Sequence, residues 1–248
     1  MATKVYLKEN NSPKRKIVIN LSHLSLTIGT FLLFWSFYPV ISFEIYSRFI
    51  IKNRFIAPIS SSNMASSLQQ AGSILGSYNV FSNNLRDFTQ ARLWFPTKQQ
   101  TGQIRQFNIK EYYLTIPKLN ISKAKVIIGG EDLSKSLTHY LPTSLPGEYG
   151  NVAIFGHSTL PQLFNIKDYK TIFTYLPSLE KGDKIIINIG DLEYNYEVFE
   201  MFVVKPDQIS VLEQKYDASY LTLITCVPPG TYWQRLVVKA KLSKLPEY

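Results

Sequence analysis

From Ile17 to Phe43 the chain carries no Asp, Glu, Lys or Arg, and from Leu24 onward it reads LSLTIGTFLLFWSFYPVISF. About 20 apolar residues in a row are what a helix needs to cross a bilayer core of roughly 30 Å. A buried helix of a water-soluble core rarely runs so long without a charge. Trp35, Tyr38 and Tyr46 lie toward the C-terminal end of the stretch, where aromatic rings favour the membrane interface. Pro39 sits near the same end, where a kink is tolerated. On the other flank Lys14-Arg15-Lys16 reinforces Lys4 and Lys8, which places the N-terminus in the cytoplasm by the positive-inside rule. Arg48, Lys52 and Arg54 on the far side weaken that orientation without reversing it. A cleaved signal peptide is the alternative, but its apolar core is normally shorter and no clear small-x-small site follows, Ser42 being the one conceivable cut. The expectation is a basic cytoplasmic N-terminus (1–20), a transmembrane signal anchor (21–46) and an exported remainder.

Beyond the anchor, the stretch SSSNMASSLQQAGSILGSYNVFSNN is rich in Ser, Asn, Gln and Gly, and residues 47–105 read as a polar extracellular linker. Short helical pieces over Leu68–Leu75 or Leu85–Leu93 would not alter that role. The formal charge of +9 raises the question of a nucleic-acid partner, and its location answers it. Residues 1–105 hold twelve Lys/Arg against three acids, whereas residues 106–241 hold 14 of each. The folded part is neutral, so nucleic acid is not an expected partner.

From Phe107 the pattern changes to short runs of aromatic and β-branched residues with turn signals between them. Ile109–Ile116 stops at Pro117, Ala124–Ile128 at Gly129-Gly130, and Val152–Phe155 at Gly156. Lys184–Ile189 meets the hairpin signal Gly190-Asp191 and is followed by Tyr194–Val204. Leu221–Cys226 is closed by Pro228-Pro229-Gly230, and Arg235–Leu242 ends the series. These spacings predict an all-β barrel or sandwich over 106–248 with one or two short helices, Lys170–Leu179 being the best helix candidate. No phosphate loop, dinucleotide fingerprint, HExxH or EF-hand pattern is present.

Cys226 is the only cysteine, which excludes a disulfide scaffold and leaves too few soft ligands for a structural zinc. An arbitrary cysteine is most simply a small buried hydrophobe. This one ends an apolar strand and opens into a loop, a position at a barrel rim where a thiol can meet a substrate. A nucleophilic thiol wants a proton-transfer partner. His23 lies in or beside the membrane segment. His157, in AIFGHST, also falls at a strand-to-loop junction, while His139 lies in a turn-rich stretch where packing or hydrogen bonding is the default. His157 is therefore the better partner, with His139 still open. Arg235 opens the strand after Cys226, across an eight-residue loop that would bring the two ends together. It is the only arginine in 106–241, and its forked, permanent charge suits an oxyanion or carboxylate.

At these residues the sequence resembles the sortases. Thr222-Leu223-Ile224-Thr225-Cys226 matches the family's TLxTC, with Arg235 at the family's arginine and Gly150–His157 similar to the segment around its histidine. Ile116-Pro117-Lys118-Leu119, Leu145-Pro146-Gly147 and Val204-x-Pro206 fall in the same order. The His139-Tyr140 and Pro-Gly-Thr features look closer to the class D and E groups than to class A. The resemblance implies an eight-stranded β-barrel that works without metal or cofactor. It implies a transpeptidase in which Cys226 attacks an LPxTG-like sorting signal of an exported protein and forms a thioacyl-enzyme. An amine of a cell-wall precursor or pilin then resolves that intermediate. His157 would protonate the leaving amine and deprotonate the incoming one, Arg235 would hold substrate and oxyanion, and Thr225 would assist through its backbone or hydroxyl. Two readings compete with it: a cysteine peptidase that releases peptides to water, and a surface barrel that binds peptides without chemistry.

Overall fold

A computed structural model of the chain describes residues 13–47, 49, 94 and 109–244. The polar linker and its two candidate helical pieces therefore lie outside the described residues, Trp94 excepted.

Helix α1 runs from Pro13 to Tyr46 and contains Pro39. Ile17, Leu21, Leu24, Ile28, Phe31, Leu32 and Trp35 are all exposed, so large apolar side chains surround the helix. An α-helix apolar on every side is suited to lipid rather than to water. Some of its hydroxyls bond internally: Thr27 Oγ1 donates to the Leu24 carbonyl at 2.8 Å and Thr30 Oγ1 to Leu26 at 2.9 Å. Such bonds lower the cost of placing a hydroxyl in lipid. By length and composition this is a candidate membrane-spanning helix.

The remainder is a closed barrel of eight strands: β1 (Glu111–Ile116), β2 (Ile121–Ile128), β3 (Leu137–His139), β4 (Gly150–Phe155), β5 (Lys184–Ile189), β6 (Leu192–Val204), β7 (Ser219–Val227) and β8 (Gln234–Lys244). Around the barrel they follow the order β1-β2-β3-β4-β7-β8-β6-β5, and only β2–β3 and β4–β7 pair in parallel. Alternation explains the outer strands. In β1, Tyr112, Leu114 and Ile116 are buried while Glu111 and Tyr113 face out, the period of two that a one-sided strand requires. The β5–β6 hairpin closes on Gly190-Asp191 with Ile189 opposite Leu192. Gly190 has φ of 56°, a left-handed conformation natural to glycine in so tight a turn.

Strands β4 and β7 are different, because each is buried on both faces along nearly its whole length. Inward, Val152, Ile154, Leu221, Leu223 and Val227 join the barrel core with Leu114, Val126 and Val238. Outward, Phe155, Ile224 and Cys226 belong to a second apolar cluster with Trp94, Leu133, Val204, Val211 and Val237. The connection between β6 and β7 lies over that outer face. Asn151 fastens it, its Nδ2 donating to the Val211 and Glu213 carbonyls at 3.2 and 3.4 Å while its Oδ1 accepts from Thr222 Oγ1 at 2.6 Å.

Two sequence expectations change. His139 sits on a strand, β3, which is short and flanked by turns. The helix expected over Lys170–Leu179 is absent: these residues form turns and one 3₁₀ turn, Leu176–Ser178. Phe173 N–H is spent on the His157 carbonyl at 2.9 Å instead of continuing an i to i−4 ladder. The β-branched Thr171, Ile172 and Thr174 around it also resist helix.

Candidate active site

Cys226 and Arg235 are direct partners in the β7–β8 ladder, near its open end. Both project to the outer face, where Cys226 is 8% and Arg235 4% exposed. Arg235 is thus no surface arginine. Its Nη1 donates to the carbonyls of Tyr232 at 2.9 Å and Gln234 at 3.2 Å, and its Nη2 to that of Trp94 at 3.3 Å. Among the described residues these partners are all neutral oxygens, and Nε is buried with none. A guanidinium held this way keeps its full charge for an anion.

His157 follows β4 directly. Gly156 precedes it because nothing larger fits: a Cβ there would lie 2.4 Å from the Phe173 ring and 2.6 Å from Leu137. The backbone around His157 is fastened on several sides. Gly156 N–H donates to Ile224, Phe173 N–H to the His157 carbonyl, and Thr225 Oγ1 to the Gly156 carbonyl at 2.8 Å. Ser158 Oγ donates to the Cys226 carbonyl at 2.6 Å. Among the described residues the His157 Nε2 is buried and has no hydrogen-bond partner. A buried ring nitrogen without a partner is costly and stands out in a folded protein.

Burial pushes the His157 imidazole down to about 4, against the upward pull of Asp132 and Asp168. Burial likewise raises the Cys226 thiol, with Arg235 pulling it part of the way back. At neutral pH the site therefore rests as a thiol and a neutral imidazole.

Trp94 packs against both His157 and Arg235. Its indole is 1% exposed, stacks on Phe155 at 5.7 Å, lies 5.5 Å from the His157 ring and takes the Arg235 guanidinium at 5.3 Å from its centroid.

The comparisons with known proteins show the family. The family described as the sortase domain matches residues 114–243, more than half of the chain. The chain belongs to the sortase family. Sortases are cysteine transpeptidases, and the matched span contains Cys226, His157 and Arg235. Sortase D of Bacillus subtilis is 29% identical over 133 residues, covering 53% of this chain and 58% of that protein. Sortase A of Bacillus anthracis is 32% identical over 145 residues, covering 58% and 60%. This sortase thus spans about three fifths of the length of those two relatives. Among solved structures, the Clostridium perfringens sortase D5 transpeptidase is 29% identical and covers 54% of this chain and 79% of that one, with a TM-score of 0.47.

The other singled-out residues lie apart from the outer cluster in this sortase. His139 is fully buried beneath it, with Tyr112 Oη at 2.8 Å from Nδ1 and Thr143 Oγ1 at 3.2 Å from Nε2. Thr225 is also fully buried, and its hydroxyl is committed to Gly156. Three contributors have no readable local signal: Trp94 comes from a stretch of spacer composition, Asn151 acts on carbonyls some 60 residues away, and Ser158 reaches across to β7.

Proposed function

We propose that the chain is a membrane-anchored sortase in which Cys226 is the nucleophile, His157 the proton carrier and Arg235 the oxyanion and substrate clamp. The observation that carries the reading is the placement of a buried thiol directly across a strand pair from a guanidinium with no carboxylate among its described partners. The second buried, unpartnered nitrogen, that of His157, faces the same indole as Arg235.

The substrate is an LPxTG-like sorting signal of an exported protein. Trp94 leaves, and the peptide takes its place along β4, β7 and β8. Cys226 Sγ attacks the scissile carbonyl as its proton passes to His157, and the oxyanion is balanced by Arg235. The tetrahedral intermediate collapses to a thioester as the imidazolium gives its proton to the departing amine. An amine of a cell-wall precursor or pilin then attacks the thioester, His157 takes its proton, and the thiol is regenerated. Backbone of Thr225 lies next to the reacting carbon, while its hydroxyl serves the fold. Residues 21–46 anchor the enzyme, 47–105 space it from the lipid, and 106–248 carry out the chemistry on the outer side. The basic N-terminal flank supports that orientation.

The test is full-length protein in detergent with an LPxTG-like peptide library and a glycine-type amine, read by mass spectrometry. Cleaved and ligated products are expected, and both should vanish in Cys226→Ala. Products that persist in that variant would refute the assignment.

A further inference from the structure

Strands β4 and β7 pair in parallel from Gly150–Ser219 to Phe155–Ile224. The last backbone bond between them is Gly156 N–H to the Ile224 carbonyl at 3.1 Å. Past that point β7 continues to Val227, whereas the other chain turns off into the loop bearing His157. Two hydroxyls take over where the ladder ends, and they run in opposite directions. Thr225 Oγ1 crosses from β7 to the Gly156 carbonyl at 2.8 Å. Ser158 Oγ crosses back to the Cys226 carbonyl at 2.6 Å. One bond therefore lands just before His157, and the other starts just after it and ends on Cys226 itself.

The surroundings show why the second bond matters. The His157 carbonyl is already held by Phe173 N–H at 2.9 Å, and Thr159 N–H by Thr174 Oγ1 at 3.0 Å. The His157 loop is thus fixed to the segment after it, and Ser158 is the side chain in that loop that ties it to the nucleophile strand. The loop after β7 also meets it closely: a Cβ on Gly230 would lie 2.8 Å from Leu160. The Cys226 carbonyl adjoins the reacting thiol, and its peptide plane sets the direction of the Cα–Cβ bond. A donor on that carbonyl fixes the plane and removes a competing acceptor from the site.

We propose that Ser158 is a positioning residue, its hydroxyl holding the Cys226 carbonyl so that the His157 loop and the thiol-bearing strand end keep one mutual geometry. The inference rests on the reading of Cys226 and His157 given above. It concerns geometry between them, not contact with substrate.

The experiment compares wild type, Ser158→Ala and Ser158→Thr as full-length protein. Steady-state peptide cleavage should show kcat falling about tenfold in Ser158→Ala, as expected for one lost hydrogen bond that matters in the transition state, with KM little changed. Ser158→Thr, which keeps the hydroxyl, should return most of the loss. Iodoacetamide alkylation from pH 5 to 10 reports on Cys226 alone, since no other cysteine exists. Its rate profile should be displaced in Ser158→Ala and restored in Ser158→Thr, and it needs no sorting signal. If wild type cleaves no peptide, the functional reading falls while the alkylation arm still decides on Ser158. An alanine profile that superposes on wild type overturns the proposal. So does a loss that Ser158→Thr does not repair and that follows a lowered Tm.

Discussion

The two histidines of the barrel share one electrostatic condition and differ in everything else. Burial holds both imidazoles down to about 4. His139 lies inside the wall, with a partner at each ring nitrogen and the Tyr112 ring edge-on at 5.8 Å. His157, one strand further, turns outward and leaves Nε2 buried without a partner among the described residues. A depressed pKa thus marks burial and nothing more. What separates the two is hydrogen-bonding capacity, spent on both ring nitrogens of His139 and left over on His157 among the described residues.

The contrast breaks most sharply under substitution. His157→Ala should lower kcat/KM for peptide cleavage by about 10³-fold, a common size for loss of a general acid–base group, while Tm stays within a few degrees. His139→Ala should do the reverse: it strips partners from Tyr112 and Thr143, so Tm drops markedly while the folded fraction keeps its kcat. Equal activity losses in the two variants would erase the distinction.

Acid sharpens the comparison. Each histidine refuses in the folded state a proton that the unfolded chain accepts below about pH 6.5, so folding is favoured above that pH. Stability should fall as the pH drops from about 6.5 toward 4 and level off once the folded imidazoles also protonate. The effect is on the order of 2–3 kcal/mol for each, read by urea unfolding of the full chain at stepped pH. His139→Gln should remove roughly half of the slope, and an undiminished slope would place the titration elsewhere.

The smallest effect concerns the cover over only one of the two. Trp94 touches His157 and Arg235. Trp94→Ala should therefore speed Cys226 alkylation several-fold and lower KM for peptide without altering the His139 contribution to the acid slope. An unchanged alkylation rate would mean the indole does not restrict access.

Much of this was legible locally, because short runs of aromatic and β-branched residues bounded by turn residues declare strands. Strands β1 and β5 were read that way, and the eight-residue loop after Cys226 was enough to expect Arg235 opposite it. Strand β3 escaped because three residues between turns hold too little pattern, and its pairing to β2 and β4 is decided elsewhere in the chain. The segment around Phe173 looked helical until the His157 carbonyl claimed its amide. Trp94 could not be foreseen, since nothing in its neighbours says that one indole should leave a spacer-like stretch for the outer face of the barrel. Asn151 and Ser158 work through carbonyls some 60 and 68 residues distant, beyond any local signal.

Strand β7 carries two apolar faces, and that division has an evolutionary consequence. Leu221, Leu223 and Val227 hold the barrel together, so truncating one costs what a core cavity costs, about 2–5 kcal/mol. Ile224 and Cys226 face the outer layer, where a change of size alters that surface while the interior stays intact. Descendants of such a strand can change the outer surface one outward residue at a time, because the inward alternates hold the scaffold constant. Outer surface and inner core are inherited on the same nine residues yet remain separately mutable.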